Sequence, residues 1–392
     1  MSLLLPESEA EAAELIAAAE APLRLEGGGT RSGLGRAIQT AATLASRKLT
    51  GVTLYEPAEM VIGAKAGTPL AEIEATLLDK NQTLAFEPMD HQPLFASAGE
   101  PTIGAIAAGN ISGPRRVFAG AARDSLIGIR FVDGRGRVIK NGGRVMKNVT
   151  GLDLVKLHAG AMGTLGFLTE VIFKVSPRPP AAATLVYHDL DDARANKLMC
   201  AAMGTPFEIT GAAHLPAGLG DARSRTLLRL EGFPEQLDYR SGRLRDLFAE
   251  YGSPERLDAE PTTEIWREVR DIRPLLEPRE HAVWRLSVPP RTGAGLVQRL
   301  ERELECRVLY DWSGGLVWLA LAETDDAGAA PIRAAVQATG GHATLVRGSP
   351  ELRGRIPVFA AEPTAIAKLT TGIKASHDPA GRLNPGLIHA GV

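Results

Sequence analysis

Residues 24–36 read RLEGGGTRSGLGR, five glycines in thirteen positions at the end of an apolar run. Glycine lacks a Cβ, so such a loop can take positive φ and bring backbone N–H groups against a ligand, most naturally a phosphate; taken alone, the same loop also reads as a turn between two strands. A nucleoside-triphosphate loop needs Lys followed by Ser or Thr after its second glycine, and this loop holds no lysine. A dinucleotide fingerprint of the G-x-G-x-x-G kind needs a glycine where Ser32 stands, although Glu56 could serve as its ribose-binding acid. Two further glycine-bearing stretches, Thr102-Ile103-Gly104 in PTIGAIAAGNISGPRR and Gly163-Thr164-Leu165-Gly166, lie downstream. One βα turn does not account for three such loops; an extended ligand spanning two small subdomains does.

The elements that must position these loops follow from periodicity. Ser8-Glu9-Ala10-Glu11 is a capping box opening a helix that Pro22 stops, and a strand at 23–25 delivers the first loop. Strands at 52–55 and 60–66, a helix opened by Thr68-Pro69, a strand at 83–86, a hairpin across the turn Asp133–Gly136, a short helix at 151–160 and a strand at 166–175 complete the first region. This order predicts a partly parallel sheet. Three prolines in the four positions 177–180 mark a boundary. Strand-like runs at 183–188, 207–214, 226–232, 282–288, 307–312, 316–321 and 342–346 then alternate with helical runs at 191–203, 234–251, 291–304 and 329–338, an α+β pattern with an antiparallel sheet. The expected organisation is a first domain over 1–178, an α+β cap domain over 179–350, and a helix and tail over 351–392 returning towards the first domain.

Composition narrows the classes. The 392 residues are 44% hydrophobic, with 44 basic and 46 acidic residues interspersed and a net charge of −2, which leaves no electrostatic footprint for nucleic acid. The N-terminal stretch has early Glu7, Glu9, Glu11 and Glu14 and no basic segment, against a signal peptide, and no run is long and apolar enough to span a membrane. Two cysteines and eight histidines without local pairing offer no disulfide framework, iron–sulfur cluster or metal motif. A cytoplasmic chain is expected, with any membrane association coming through partners.

The stretches EGGGTRSGLGR, PTIGAIAAGNISGPRRVFAGAARDSLIGIRFVDGRGRVI and NGGRVMKNVTGLDLVKLHAGAMGTLGFLTEVIFKVSPRP together resemble the FAD-binding domain of the vanillyl-alcohol oxidase and p-cresol methylhydroxylase superfamily over residues 5–178. Within it, SGPRR, AARDSLIGIRFVDGRG and GGRVMKNVTGLDL are most similar to the family of flavin-binding E subunits of bacterial glycolate oxidase. The resemblance implies a two-subdomain FAD-binding domain followed by the cap. It implies that Gly27, Gly28, Gly29, Thr30, Arg31 and Gly33 clamp the FAD pyrophosphate, that the run from Thr102 through Gly104, Gly109 and Asn110 to Ser112 lies beside the isoalloxazine and ribityl chain, and that Gly163, Thr164, Leu165, Gly166 and Leu168 serve the adenosine half. Asn384, in RLNPGLI, is a candidate to reach the flavin from the tail.

Glu26, Ala105 and Leu152 depart from the family pattern; Glu26 is expected to point away or to meet Arg31 or Arg36. The first loop contains no His or Cys, so FAD is expected to be non-covalent, and His91 is read as a loop residue. The resemblance further implies work on a small 2-hydroxy acid, glycolate, going to glyoxylate, with a flavin-bearing D subunit and an iron–sulfur F subunit as partners. The Gly-Asp-Gly-Asn-x-His and Glu-His-Gly runs of D-type relatives are absent here, and Asp311–Gly315 with the lone His342 does not reproduce their site. Arg115, Arg116 and Arg123 are candidates for the flavin edge, the substrate carboxylate or a subunit contact, and no catalytic residue is assigned. A stand-alone FAD-dependent 2-hydroxy acid dehydrogenase and a non-catalytic scaffold are the alternatives.

Overall fold

A computed structural model describes residues 2–144 and 151–391. The segment 145–150 of the motif GGRVMKNVTGLDL lies outside the described residues. The chain divides into two compact units: one takes the residues up to Ser112, Gly120–Arg178 and everything from Ala361, the other Gly113–Ala119 and Pro179–Ala360.

In the first unit, the strands Ser2–Leu4, Ala42–Ala45 and Leu23–Glu26 form a small parallel sheet in the order first, third, second strand of this set being Ser2–Leu4, Ala42–Ala45, Leu23–Glu26 across the sheet. The helix Glu9–Ala18 starts where the Ser8 hydroxyl accepts from the Glu11 N–H at 3.1 Å, while the Glu11 carboxylate reaches back one residue further, to the Glu7 N–H at 2.7 Å. Its buried Ala12 and Ile16 pack with Leu23, Leu44 and Leu383.

Of the partly parallel sheet expected for this region, the parallel strand pairs are those of that small sheet. A second, five-stranded sheet is antiparallel throughout, running Val52–Glu56, Val61–Lys65, Phe167–Lys174, Leu126–Val132, Val138–Gly142. A single turn of 3₁₀ helix at Pro57–Glu59 joins its first two strands, too short for a parallel crossover. Val61 to Ala64 are buried without alternation because this strand is central and covered on both faces. The strand expected at 83–86 is only the pair Gln82-Thr83, matched to Ser176-Pro177.

In the second unit an eight-stranded antiparallel sheet runs Glu255–Leu257, Ala181–His188, Arg225–Gly232, Gly211–Leu215, Arg307–Asp311, Leu316–Leu321, Ala282–Ser287, His342–Arg347. One face buries Trp284, Leu286, Val317, Leu319 and Leu345 with side chains of the helices Asp192–Met203, Pro234–Leu247, Gly293–Leu300 and Ala329–Ala338. The helix Ala259–Arg270, absent from the sequence reading, carries Thr262, Ile265, Trp266 and Val269 inward at helical spacing, and Trp266 Nε1 donates to Thr184 Oγ1 at 2.9 Å.

The C-terminal residues close the first unit. In the helix Thr364–His377 the buried Lys374 ammonium donates to Asp378 Oδ2 at 2.7 Å and to the carbonyls of Thr164 and Leu383 at 2.7 and 2.6 Å. Asp378 also accepts from the N–H groups of Arg382 and Leu383, and this turn delivers Asn384 in a left-handed conformation with φ 44°. Asn384 Oδ1 accepts from the Leu25 N–H at 2.8 Å, its Nδ2 donates to the Met162 carbonyl at 2.8 Å, and its own N–H donates to the Leu23 carbonyl at 3.0 Å. One amide therefore ties the strand entering the first glycine loop to the loop carrying Gly163.

The hairpin turn at Asp133–Gly136 backs this arrangement, with the Gly134 N–H donating to the His377 carbonyl at 2.9 Å. Burial raises the Asp133 carboxyl, but hydrogen bonds from the Arg137 guanidinium and from the N–H groups of Arg137 and Arg135 outweigh it, and its pKa falls below the usual value.

Two outcomes are expected. Asn384→Ala leaves the part-buried Leu25 N–H and Met162 carbonyl without their partner and should lower unfolding free energy in urea by on the order of 1–3 kcal/mol; a loss under about 0.5 kcal/mol would show that this amide ties nothing together. For Asp133, a folded pKa below the unfolded one means stability that is complete above the unfolded value and lost as pH falls through the folded one. Acid titration followed by circular dichroism should find Asp133→Asn less stable than the parent at neutral pH and the difference shrinking below about pH 4; a constant difference down to pH 2 would contradict the assignment.

Candidate functional site

Where the strand Leu23–Glu26 ends, the first glycine loop begins, and it borders a cleft of about 860 Å³ counted with the solvent at its mouth. The lining joins three stretches distant in sequence: Arg24 to Ser32 apart from Gly28, one side of the helix Ile103–Gly109, and Met162, Gly163 and Gly166 to Leu168. Leu34, Ile38, Ser46, Ala66, Asn384 and Leu387 complete it.

Nine of the expected residues meet in this cleft: Gly27, Gly29, Thr30, Arg31, Gly104, Gly109, Gly163, Gly166 and Leu168. Gly29 has φ +84°, a backbone turn that L side chains rarely take. Gly104 permits a close approach: its N–H donates to the Ala66 carbonyl at 2.9 Å, and a Cβ there would lie 2.5 Å from the Ala66 Cβ and 2.7 Å from that oxygen. The helix can thus sit directly on the end of the strand Val61–Lys65, presenting Gly104, Ala105, Ala108 and Gly109 as a low, nearly side-chain-free wall.

The other seven expected residues stand outside the lining. Gly28 lies against the Glu100 backbone and Gly33 against the Phe95 ring, so both shape the loop from behind. The helix ends at Gly109, and Asn110, left-handed at φ 49°, turns its Oδ1 to accept from the Arg123 N–H at 2.8 Å. Ser112 Oγ likewise accepts from the Ala122 N–H at 2.9 Å. Both oxygens brace the following turn. Thr164 bonds the Ala161 carbonyl through its hydroxyl and receives Lys374 on its own carbonyl, and Leu165 is buried in the unit. Thr102 precedes the helix with its hydroxyl buried beside Gly27 and without a hydrogen-bond partner among the described residues.

Glu26 departs from expectation: it meets neither Arg31 nor Arg36 but accepts from Arg24 Nε at 2.5 Å and from Ser32 Oγ at 3.1 Å. Residues two apart on one strand share a face, which puts Arg24 within reach before the chain turns. Arg31 donates from Nε to His91 Nδ1 at 3.3 Å, and desolvation, with Asp90 opposing it, brings the guanidinium down to about 10, so it stays charged at neutral pH. His91 thereby braces the loop from a buried position. His158, packed 3.9 Å from the Phe131 ring behind Gly166, is pushed down to about 3 by burial and by His377 and is neutral.

Of the three arginines singled out, Arg123 donates to the Lys156 carbonyl at 3.1 Å, Arg115 pairs with Glu231, and Arg116 lies over the Trp312 ring. Ser46, Ala66, Met162 and Leu387 were not foreseen; none carries a polar or glycine signature that points to a ligand, apart from the lone Ser46 hydroxyl.

The cleft suits a dinucleotide on two observations: amide-bearing glycine backbone free of Cβ atoms in the first loop, and a small-residue wall against which a flat ring can lie. No helix among the described residues is long and apolar enough to cross a membrane.

Comparison with known proteins agrees with this geometry. Residues 2–142 match the FAD binding domain family. The chain is 32% identical over 369 residues to glycolate oxidase subunit GlcE of Escherichia coli K12, covering 94% of this chain and 93% of that one. It is 34% identical over 158 residues to glycolate oxidase subunit GlcD of Bacillus subtilis 168, covering 40% of this chain and 32% of that protein. The fold matches a crystal structure of p-cresol methylhydroxylase with substrate bound at a TM-score of 0.74 and 14% identity, over 99% of this chain and 88% of the other. A near full-length match at that identity, on a fold of this type, settles the family: the chain belongs to the glycolate oxidase subunit GlcE family of FAD-dependent oxidoreductases.

Proposed function

We propose that this chain is the FAD-holding E-type subunit of a glycolate oxidase complex, taking part in the two-electron oxidation of glycolate to glyoxylate and passing electrons to partner subunits of the D and F types. The observation that carries the reading is the convergence of three glycine-bearing stretches on one cleft, in a chain alike to GlcE over nearly its whole length. A bound flavin would supply a ring that accepts two electrons; the protein's share is to bind, orient and exclude water.

In this reading FAD is dissociable. The backbone of Gly27 to Arg31 holds the pyrophosphate, with the charged Arg31 braced by His91. Gly104, Ala105, Ala108 and Gly109 form the wall for the ring system and ribityl chain, and Gly163, Gly166 and Leu168 border the remainder. Glu26 is kept from opposing the phosphates because Arg24 pairs with it. Thr102, Asn110, Ser112, Thr164 and Leu165 act by shaping these walls. Placement is in the cytoplasm, with contact to a membrane made through partner subunits.

The purified chain should be yellow and release its flavin to the supernatant on acid precipitation; a chain that neither carries nor takes up FAD would overturn the assignment. Under anaerobic conditions glycolate should bleach the flavin once the D and F subunits are added, whereas bleaching of the chain alone would make it a dehydrogenase in its own right. Gly104→Val should fold but lose at least tenfold in FAD affinity by fluorescence titration, because its side chain drives the helix wall off Ala66; undiminished FAD binding would move the flavin elsewhere.

A further inference from the structure

The second unit contains a group of cations that the FAD cleft does not use. Its centre is Trp312, in the turn between the strands Arg307–Asp311 and Leu316–Leu321. Arg116 lies 4.7 Å and Arg285 5.0 Å from the indole centroid, each measured from Cζ. Trp312 Nε1 donates to the Gly113 carbonyl at 3.1 Å, fixing the segment Gly113–Ala119 and with it Arg116.

Three independent features set this group apart. First, the turn is strained: Trp312, Ser313 and Gly314 have φ of 49°, 60° and 87°, and two of these three are not glycine. Such a turn persists only where its surroundings over-determine it, and such turns cluster at functional sites. Here the Asp311 carboxylate accepts from the Trp312 N–H at 2.7 Å, and Asn196 Nδ2 donates to the carbonyls of Ser313 and Pro290 at 3.0 and 3.1 Å.

Second, sheet register gathers polar residues on one face. Arg285 is opposite Thr344 on one side and Trp318 on the other, and Ser287 is opposite His342. Directly opposed residues of antiparallel strands share a face, so Arg285, Ser287, His342 and Thr344 all stand on the side away from the apolar core formed by Trp284, Leu286, Ala343 and Leu345. Third, the Arg285 side chain makes no hydrogen bond or ion pair among the described residues, and its one contact of note is the indole face. Desolvation brings its guanidinium down to about 10, Arg116 adding to the effect and Asp311 opposing it, and His342 is lowered by burial and by both arginines. A half-exposed guanidinium with unused, planar donors beside a second one suits the fork of a carboxylate.

We propose that Arg285 and Arg116, held over Trp312, with His342 on the same sheet face, form a binding site for the carboxylate of a small 2-hydroxy or 2-oxo acid. Arg285 supplies the paired N–H donors, Arg116 the second charge, and Trp312 holds both guanidiniums in place. The identity of the acid rests on the glycolate reading; the site itself rests on the turn, the register and Arg285.

The test is calorimetric titration of the full-length chain with sodium oxalate, a non-oxidisable analogue, alongside tryptophan emission. Saturable one-to-one binding is expected, displaced by glycolate and glyoxylate. Arg285→Gln should weaken it at least tenfold, Arg285→Lys less, and Trp312→Phe should remove the emission change. No oxalate binding by the parent, or unaltered affinity in Arg285→Gln, overturns the site. If Arg285→Gln does not fold, as judged by circular dichroism, unaltered affinity in both Arg285→Lys and His342→Gln overturns it equally. Oxalate binding that glycolate and glyoxylate cannot displace overturns the assignment of the acid. Because the measurement needs no turnover, oxalate binding without flavin reduction by the complex would remove the reaction and keep the site, and reduction without oxalate binding would do the reverse.

Discussion

The first unit depends on a single side-chain amide. Asn384, near the end of the described chain, bonds backbone groups of Leu25 and Met162, and its own N–H reaches Leu23, so that segments separated by 359 and 222 positions are held together. Loops of that length close at little extra entropy per added residue, but only if a specific contact rewards the closure. A buried amide that satisfies both a donor and an acceptor supplies one, and failing to make it would leave both backbone groups orphaned. The buried Lys374 and Asp378 set its position, since they bind the carbonyls and N–H groups of the turn that carries it.

The cleft wall follows from volume more than from polarity. The helix Ile103–Gly109 carries nothing larger than alanine towards the cleft, and Gly104 lets it rest on Ala66, so backbone rather than side chain borders the space. Polar character enters through the first glycine loop, where Arg24 balances Glu26 and His91 steadies Arg31. The charges present are paired or braced before any ligand arrives, and little reorganisation is left for binding.

The second unit uses the opposite device. Its sheet is apolar on one face and packed with helices, and it spends backbone strain at Trp312 and Ser313 to bring an indole to two guanidiniums. Asn196 and Asp311 hold that turn through hydrogen bonds to its backbone, a rigid support of the kind precise polar recognition needs.

Local chemistry was legible in the sequence wherever a residue's type constrains its own backbone. The glycine loop after a strand, the Ser8 cap, the hairpin at Asp133–Gly136, most strands and helices of the second region and the α+β class are of this kind, while the flavoprotein family came from the resemblance of the glycine-rich stretches to known ones. What it did not disclose was set by partners distant along the chain. The antiparallel order of the five-stranded sheet depends on Phe167–Lys174 entering between strands made a hundred residues earlier and forty residues earlier; the roles of Asn110 and Ser112 as turn braces depend on where the helix stops; Glu26 chose Arg24 because the strand face put it nearest. Ala66 and Leu387 carry no local mark of a ligand and became part of the cleft only by position. A sequence fixes torsional preference and burial tendency residue by residue, whereas which polar groups meet is decided by the packing that brings distant backbone together, and here Asn384, Lys374 and Asp378 made that decision.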